Sequence, residues 1–341
     1  MTASLDRKAG PEVAVISDRA ATKSLSVVIP AYNEEATIEE LVVGIVKSLS
    51  EQQLSYEIVV VDDGSEDKTL EILRSLKQDH PETLRVVQHL YNKGNGAALR
   101  TGVRVAQGEI VVSMDADGQH APSEISKLIS LMPPYDLVIG CRTKGYQGPR
   151  LRGMANRFFN RFASWLSKME VLDLTSGFRA MRRSTVMHFL PLFPTGFSAP
   201  STTTLAFLKA GYNVAFVPVT VGPRAGGKSK ISLWADGTRF VVLILRMIML
   251  YDPLRIFFPA SLLMGFLGIV AWMAGVITAG RLVLPNSAIF LFISALITSL
   301  LGLVANQIAG SLIQYRGDET IVIEGTPEYF ADFVRDSDKE S

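Results

Sequence analysis

Asp115, Asp117 and Gln119 alternate with small residues in the sequence M-D-A-D-G-Q-H. A short β-branched run, residues 109–113, precedes them and predicts a buried strand. The glycine between Asp117 and Gln119 allows the backbone to turn, so that the three side chains can converge. Carboxylate and amide oxygens suit a hard divalent cation such as Mg²⁺ or Mn²⁺, which would carry a phosphate-bearing substrate. The alternative is a solvated Asp-Gly turn.

The elements that must position these residues alternate between apolar runs and segments with helical spacing. The predicted strands are Leu25–Ile29, Tyr56–Val61, Leu84–Gln88, Glu109–Ser113 and Leu137–Gly140. The predicted helices between them are Thr37–Leu49, Thr69–Leu76 and Ala97–Ala106. This alternation with short loops predicts βαβ units, and therefore an α/β fold with a Rossmann-like, mostly parallel sheet flanked by helices.

Polar residues follow four of the predicted strands. They are the pairs Asn33/Glu34, Asp62/Asp63, Asn92/Lys93 and Asp115/Asp117. Each pair alone is explained by a turn or a helix N-cap. Because the strand ends of a parallel sheet meet at one edge, four successive pairs predict a single polar crevice where such sheets bind nucleotides.

Four segments resemble, in order and spacing, the family 2 glycosyltransferases with a GT-A fold. They are V-I-P-A-Y-N-E from Val28, D-D-G-S from Asp62, N-K-G-N-G from Asn92 and D-A-D-G-Q-H from Asp115. The resemblance covers residues 25–120 and implies a nucleotide-sugar donor.

The resemblance also assigns roles to individual residues. The residues implied to line the nucleotide-sugar pocket are Pro30, Tyr32, Glu34, Asp62, Asp63, Lys93 and Asp115. Among these, Asp62 and Asp63 would contact the base and ribose. Asp117 and Gln119 would hold the metal on the diphosphate, with Asp115 either a third metal ligand or a ribose contact.

A second group of signals follows the fifth predicted strand. It comprises Arg142, the run D-L-T-S-G-F-R from Asp173 to Arg179, and the run R-A-G-G-K-S-K from Arg224 to Lys230. Glycines with Arg and Lys can fold around phosphate oxygens, whereas the alternative is a solvated basic loop. The two runs resemble the branch of the family that glycosylates a polyprenyl phosphate, which includes dolichyl-phosphate mannose synthases and bacterial polyprenyl-phosphate glucosyltransferases.

That branch implies a site for the acceptor phosphate and the donor diphosphate. The residues expected there are Arg142, Ser176, Arg179, Arg224 and Lys230. The residues expected to take part in catalysis are Asp115, Asp117, Asp173 and Arg179, with Asp173 orienting an arginine in preference to acting as a weak base. Residues 198–204 offer only hydroxyls where many family members carry an acid, which leaves the donor sugar open.

Composition excludes other classes. The 341 residues contain 34 Lys and Arg against 33 Asp and Glu, which argues against a nucleic-acid binder. A single cysteine, Cys141, rules out an internal disulfide framework. Residues 1–23 are charged and lack a long apolar core, so they predict a flexible leader and not a signal peptide.

Two apolar runs near the C-terminus explain the mean hydropathy of +0.25. Residues 256–280 and 286–312 are uncharged and each exceeds the roughly 20 residues that a spanning helix needs. Residues 231–255 predict interfacial juxtamembrane helices. Residues 152–168 predict a basic amphipathic helix, either an ordinary surface helix or one that contacts anionic lipid head groups.

Charge asymmetry sets the expected topology. Cations outnumber acids before the first span, and Arg281 is the single cation between the spans. The positive-inside rule therefore predicts that the catalytic domain, residues 24–230, and the acidic tail, residues 313–341, are cytoplasmic. The expected location is the inner (plasma) membrane, as a multi-pass protein.

These observations together predict a membrane-anchored, metal-dependent, inverting glycosyltransferase. It would move a sugar from a nucleotide-diphosphate sugar to polyprenyl phosphate at the cytoplasmic face, with Mg²⁺ or Mn²⁺ as cofactor. UDP-glucose is the favoured donor, and GDP-mannose and UDP-N-acetylhexosamine are the alternatives. A homo-oligomer is compatible with the sequence.

Two other functions remain as alternatives. A polysaccharide synthase would usually carry Q-x-x-R-W, yet none of Trp165, Trp234 and Trp272 follows an arginine, and two spans make a poor channel. A nucleotide-sugar-binding membrane scaffold without turnover is the other alternative, and the intact set of Asp115, Asp117 and Gln119 argues against it.

Overall fold

The computed structural model describes residues 24–52, 54–132, 134–142, 150–195, 199–222, 245, 248–249 and 252–312. The strands in these ranges are β1 Leu25–Ala31, β2 Tyr56–Asp62, β3 Leu84–Gln88, β4 Ile110–Ser113, β5 Leu137–Arg142, β6 Arg179–Arg182 and β7 Val214–Val219. They form one sheet in the order β3-β2-β1-β4-β6-β5-β7.

The helices of the described ranges lie between and after these strands. They are α1 Ile38–Ser50, α2 Thr69–Asp79, α3 Asn95–Val105, α4 Ile125–Ile129, α5 Arg150–Ser167, α6 Arg183–Phe189, α7 Ala199–Lys209, α8 Leu254–Ala279 and α9 Asn286–Leu312. Two short 3₁₀ turns, Pro122–Glu124 and Leu190–Leu192, precede α4 and follow α6.

The sheet is parallel except at β6, which confirms the predicted α/β class. β6 lies between β4 and β5 and is antiparallel to both. The other strands run in one direction, because β1 is parallel to β2 and β4, β2 to β3, and β5 to β7.

Both faces of the sheet are covered by helices, as parallel sheets require. Every residue of β2 is buried, and its side chains contribute to two apolar clusters. One cluster includes side chains of α1, α2 and α4, and the other includes side chains of α3, α5, α6 and α7. The result is three layers with the strand ends left open at the sheet edge.

Three details differ from the sequence expectation. Pro30 was expected to end the first strand, but β1 continues through it to Ala31. Residues 173–179 were expected to form a loop, whereas Arg179 begins β6. Neither β6 nor β7 was predicted, and β6 is only four residues long, with arginines at both ends.

The C-terminal helices α8 and α9 are long and apolar enough to cross a membrane, with mean hydropathy 2.1 and 2.5 over their most apolar windows. Their large side chains are mostly exposed. Small residues allow close packing between them, since a Cβ at Gly268 would lie 2.9 Å from the Phe292 ring and one at Gly302 would lie 2.6 Å from Phe257. The predicted leader and tail, and most of 231–255, lie outside the described residues.

Gly102 of α3 sets how closely this helix approaches the sheet. An added Cβ would lie 2.3 Å from Val28 Cγ1 and 3.3 Å from Val61 Cγ2. Because valine has little freedom at χ1, we expect Gly102→Ala to lower the free energy of unfolding by about 1–3 kcal/mol. Thermal unfolding of the detergent-solubilised protein measures this.

The matched control is Gly310→Ala in α9, where a Cβ would meet no atom of the described chain within 4 Å. That substitution should leave the Tm unchanged or slightly raised. Equal effects of the two substitutions on the Tm would show that the close approach of Gly102 to Val28 is not needed for stability.

Candidate active site

The strand ends bring the predicted polar segments to one edge of the sheet. β2 ends at Asp62, β4 ends two residues before Asp115, and β5 ends at Arg142. Because β6 runs in the opposite direction, its first residue, Arg179, lies at the same edge, paired with Ser113 of β4. The antiparallel strand therefore adds the S-G-F-R segment to the crevice that the parallel strands form.

The acidic loop after β4 is held by hydrogen bonds. Thr37, just before α1, donates its hydroxyl to the carbonyl of Ala116 at 2.7 Å. Asp117 Oδ1 accepts the backbone N–H of Gln119 at 3.2 Å, and Gly118 has a φ of +70°, which glycine adopts without steric cost. The Asp117 side chain is buried, so the loop is not the solvated turn of the alternative interpretation.

Asp115 is half-buried between α3 and the S-G-F-R segment. The side chain of Asn95 hydrogen-bonds to its carboxylate. Gly177 passes so close that a Cβ there would lie 2.6 Å from Asp115 Oδ2. Burial, followed by the charge of Asp117, raises the pKa of Asp115, while Asn95 and two nearby arginines act in the opposite direction. The two carboxylates therefore repel each other, which a divalent cation would relieve.

The candidate metal ligands are oxygen donors only. No group of three His, Cys, Asp or Glu side chains is positioned for a metal within the described ranges. Two carboxylates and the amide of Gln119 would leave the remaining positions of a hard cation to water and to phosphate, as Mg²⁺ prefers. The donor chemistry fits such an ion, and the ligand role of Asp115, Asp117 and Gln119 stays a prediction.

His120 closes the same loop on its apolar side. Its ring stacks on Phe178 with 4.7 Å between centroids. Burial lowers the pKa of His120, although the charge of Asp117 opposes this, so the imidazole is neutral near pH 7. Its Nδ1 is buried and has no hydrogen-bond partner in the part of the chain that the structure describes.

The D-D-G-S loop contains one carboxylate that is fully engaged and one that is not. Asp63 Oδ1 contacts His89 Nδ1 at 2.6 Å and accepts the backbone N–H of Lys93 at 3.0 Å, while Oδ2 accepts that of Gly94 at 2.7 Å. Asp62 Oδ1 accepts a long 3.4 Å hydrogen bond from the backbone of Ser65. Its Oδ2 is buried and has no partner among the described residues.

Asp63 therefore fixes the loop between β3 and α3, and Asp62 offers an acceptor atom to a ligand. The loop after β1 is tied to the same region, because Asn33 accepts from the backbone of Glu66 at 2.8 Å. Of the other predicted pocket residues, Pro30, Tyr32 and Glu34 are partly buried, and the Lys93 ammonium lies 5.4 Å from the Tyr91 ring centroid. Their contact with a nucleotide sugar stays a prediction.

Asp173 and Arg142 form an ion pair across the crevice. Asp173 Oδ1 accepts the backbone N–H groups of Thr175 and Ser176, both at 3.1 Å. Its Oδ2 lies 3.4 Å from Arg142 Nε. The Arg142 side chain is 26% exposed, so its remaining N–H groups have access to solvent. Through this contact Asp173 could orient Arg142, and its preference for that role over that of a weak base stays a prediction.

Arg179 is buried, with 1% of its surface exposed. Its guanidinium donates to the carbonyls of Ser176 and Pro200, at 3.1 and 2.9 Å, and to Thr204 Oγ1 at 3.3 Å. Burial lowers its pKa to about 10, although Asp173 and Asp115 act to raise it. In this conformation the side chain is buried and contacts protein oxygens, and its predicted contact with a phosphate stays a prediction.

Four residues remain to be compared with the sequence predictions for the site: two that were predicted and two that were not. Arg224 and Lys230 lie outside the described residues. Asn95 and His89 were not predicted, although they hold Asp115 and Asp63. Asn95 belongs to the N-K-G-N-G run before a helix, which was a usable signal. His89 is an isolated histidine after a strand, which gives no sequence signal.

The first comparison with known proteins assigns the family. The sequence model "Glycosyl transferase family 2" matches residues 26–190, and "GtrB C-terminal hairpin" matches residues 252–311. The first match contains the acidic loops and the S-G-F-R segment, and the second contains most of α8 and α9. Residues 26–190 are therefore a family 2 glycosyltransferase domain.

Curated relatives place the chain more narrowly. The dolichol-phosphate mannosyltransferase of Pyrococcus furiosus is 38% identical over 217 residues, which are 61% of this chain and 59% of that protein. The undecaprenyl-phosphate 4-deoxy-4-formamido-L-arabinose transferase of Aeromonas hydrophila subsp. hydrophila is 32% identical over 165 residues, 48% of this chain and 50% of that protein. These matches confirm the predicted resemblance to the polyprenyl-phosphate branch of the family. The chain spans less than two thirds of the length of both relatives.

A solved structure agrees on the fold. Glucosyl-3-phosphoglycerate synthase from Mycobacterium tuberculosis, in complex with Mn²⁺, UDP and phosphoglyceric acid, superposes with a TM-score of 0.53 at 22% identity. The match covers 67% of this chain and 78% of that one. At this identity the likeness concerns the fold, which is GT-A, as the motifs predicted.

The raised pKa of Asp115 predicts a stability effect. The folded state holds the Asp115 proton more tightly than the unfolded state does, so ionisation of Asp115 lowers the free energy of unfolding as pH rises. With chelator present, we expect Asp115→Asn to raise the Tm at pH 7. The gain should disappear below about pH 4, where both states carry the proton.

Circular dichroism melts at the two pH values test this prediction. The control is Asp79→Asn at the exposed end of α2, which should leave the Tm unchanged at both. A lower Tm for Asp115→Asn at pH 7 would mean that the ionised carboxylate stabilises the folded state, contrary to the prediction.

Proposed function

We propose that this protein transfers a sugar from a nucleotide-diphosphate sugar to polyprenyl phosphate, with inversion at the anomeric carbon. The observation that carries the proposal is the crevice at the sheet edge. There the paired carboxylates of Asp115 and Asp117 lie beside the Arg142–Asp173 ion pair, in a chain that continues into two apolar helices. Relatives named for transfer to dolichol phosphate and undecaprenyl phosphate support it.

The donor half of the site uses the loops after β1, β2 and β3. The unpartnered Oδ2 of Asp62 accepts an N–H or O–H of the nucleoside, which removes the cost of a buried acceptor without a donor. The carboxylate of Asp63 accepts the backbone N–H groups of Lys93 and Gly94, and so it fixes the loop that lines one side of the pocket. UDP-glucose is the favoured donor, and GDP-mannose and UDP-N-acetylhexosamine are the alternatives.

Asp115, Asp117 and Gln119 would hold a divalent cation, Mg²⁺ or Mn²⁺. When bound, the ion would neutralise charge on the departing nucleoside diphosphate. The structural relative bound to Mn²⁺ and UDP supports a metal in general and does not distinguish the two ions.

The acceptor phosphate supplies the nucleophile. One of its oxygens forms the bond to the anomeric carbon while the bond from that carbon to the diphosphate breaks. This oxygen is already anionic at neutral pH, so no strong general base is needed. Residues 199–204 of α7 contain no carboxylate, and Thr203 and Thr204 donate their hydroxyls to carbonyls one turn earlier in the same helix.

Countercharge is the main task of the protein in this step. Arg142 is partly exposed and is held by Asp173, so it binds the acceptor phosphate directly. Ser176 and Arg179 shape the loop beside it, and Arg224 and Lys230 are proposed to contribute further contacts. The reaction takes place at the cytoplasmic face of the inner (plasma) membrane, with residues 24–230 in the cytoplasm and the chain multi-pass.

A donor panel tests the proposed reaction. Purified full-length protein and polyprenyl phosphate are incubated with labelled UDP-glucose, GDP-mannose or UDP-N-acetylhexosamine, and the lipid phase is analysed. We expect one labelled lipid monophosphate sugar, formed only with divalent cation. Asp117→Asn should lower its rate at least about a hundredfold, or ~2.8 kcal/mol at ~1.4 kcal/mol per decade.

Asp79→Asn is again the control and should retain full activity. Transfer that continues in excess chelator would contradict the metal assignment. Nucleotide-sugar binding without any labelled lipid, across the panel, would favour the scaffold alternative.

Two arginine–aspartate pairs on the sheet allow a matched test of the acceptor site. Arg142 pairs with Asp173 at the carboxyl edge, and Arg182 pairs with Asp136 at the opposite edge, with Nε 2.9 Å from Oδ1. A charge-assisted hydrogen bond to phosphate contributes about 1.5–3 kcal/mol. We therefore expect Arg142→Ala to lower kcat/KM for polyprenyl phosphate roughly tenfold to a hundredfold.

Initial rates at varied polyprenyl phosphate, beside donor affinity by titration, measure the effect. Arg182→Ala should leave both quantities nearly unchanged, and Arg142→Ala should affect the acceptor more than the donor. An equal loss in the two variants would remove Arg142 from the acceptor site.

A further inference from the structure

Helix α5 has one face in the core and one face that carries large exposed aromatic side chains. Phe159, Ala163 and Leu166 are buried in the apolar cluster beneath the sheet. On the other face Phe158 is 56% exposed and Trp165 is 46% exposed. In a water-soluble helix such large rings are normally buried or isolated, so an exposed aromatic face indicates an interaction surface.

The two exposed rings are connected into one stripe by Phe162, which is half-buried and also packs against the core cluster. Phe158 stacks on Phe162 with 6.3 Å between centroids, and Phe162 contacts Trp165 at 5.7 Å. The spacings of four and three residues place these rings on one side of the helix. Met169, which follows the helix, extends the apolar surface and is also exposed.

The charges around this stripe are of one sign along the helix. Arg157 and Arg161 are exposed, and residues 150–167 contain no acid. Exposed Lys168 follows the helix, with exposed Glu170 two residues later. An aromatic stripe bordered by arginines is the composition of a helix that lies in a membrane interface.

A direct contact connects α5 to the first membrane helix. Arg255, the second residue of α8, donates to the carbonyls of Trp165 and Leu166, the latter at 2.9 Å. Its guanidinium carbon also lies 4.1 Å from the centroid of the Trp165 ring. The backbone N–H of Arg255 is in turn bonded to Asp252 Oδ1 at 3.3 Å.

This contact fixes the level of α5 relative to the bilayer. Arg255 is the last charged residue before the apolar length of α8, whose next exposed side chains are Ile256 and Phe258. Where α8 crosses a membrane, which its length and composition allow, the chain leaves the polar phase at Arg255. Trp165 touches Arg255, so Trp165 lies at the same level, where tryptophan is preferred.

We propose that α5 lies in the plane of the membrane interface, with its aromatic stripe in the boundary between head groups and acyl chains and with Arg157 and Arg161 on anionic head groups. The partner is the lipid bilayer itself. The helix then acts as a second attachment of the catalytic domain, beside the two apolar helices.

The test uses environment-sensitive labels on the full-length protein. Cysteine is introduced by Phe158→Cys, by Trp165→Cys, and by Ser75→Cys on α2, whose apolar side packs on the opposite face of the sheet. The native Cys141 is buried and defines the background. Each variant is labelled with NBD and placed in nanodiscs that hold one copy and contain a phospholipid with a head-group nitroxide.

We expect loss of fluorescence to the nitroxide lipid at positions 158 and 165, and none at 75. Replacing anionic lipid by phosphatidylcholine should reduce the loss at 158, and so should the double substitution Arg157→Gln/Arg161→Gln in anionic discs. Because the readout is fluorescence, it stands apart from the proposed reaction.

Labels at 158 and 165 that behave like the label at 75 would overturn the proposal. Quenching that is independent of anionic lipid would overturn the role of the two arginines. Protection of the labels in discs with several copies, but not with one, would mean that a second copy covers this face and would overturn the lipid assignment.

Discussion

Repulsion between the carboxylates of Asp115 and Asp117 is the constraint on which the rest of the glycosyltransferase domain depends. Asp115 and Asp117 lie at the end of a central strand, where burial makes an ionised carboxylate costly. The groups that offset this cost come from three different elements, since Asn95 begins α3, Arg142 ends β5 and Arg179 begins β6. The site therefore exists only when these elements are assembled, and the proposed cation would relieve the remaining repulsion between the two carboxylates.

The position of β6 follows from the same constraint. A fully parallel sheet would place the start of this strand at the far edge, away from the acidic loop. Running antiparallel between β4 and β5, it pairs Arg179 with Ser113 and Ile139 and delivers a cation to the carboxyl edge. The cost of burying that cation is offset by the carbonyls of Ser176 and Pro200, which in turn orders the S-G-F-R loop against α7.

The sequence predicted those elements whose residues form a local pattern. Strands β1 to β5 are apolar runs bounded by turn residues, and the apolar residues of helices α1 to α3 recur with helical spacing. The positions of these elements were therefore predicted to within two or three residues. β6 has only two buried apolar residues, Ala180 and Met181, between arginines, and it becomes a strand by pairing with partners about forty and seventy residues away. No local pattern carries that information.

The same distinction applies to the site. The acidic loops were predictable because their residue types follow strands in sequence, whereas which carboxylate oxygen is free is decided by long-range contacts. Asp62 and Asp63 are adjacent and chemically identical, yet His89 and the backbone of Lys93 and Gly94 engage Asp63, while Asp62 Oδ2 has no partner within the described chain. A sequence argument could only treat them as a pair.

The crevice and the two apolar C-terminal helices are joined by a short series of side-chain contacts. Arg255 binds the end of α5, and Asn160 of the same helix binds the backbone on both sides of Asp173, at Leu172 and Leu174. Asp173 then holds Arg142. Each step joins a helix or a hydrogen-bonded loop to the next, so the height of Arg142 above the start of α8 is set by the fold and not by a flexible linker. For the proposed acceptor, whose phosphate would be confined to the membrane surface, a fixed height would replace a search in three dimensions by one in the plane of the bilayer, and the reacting groups would be oriented before the acceptor arrives.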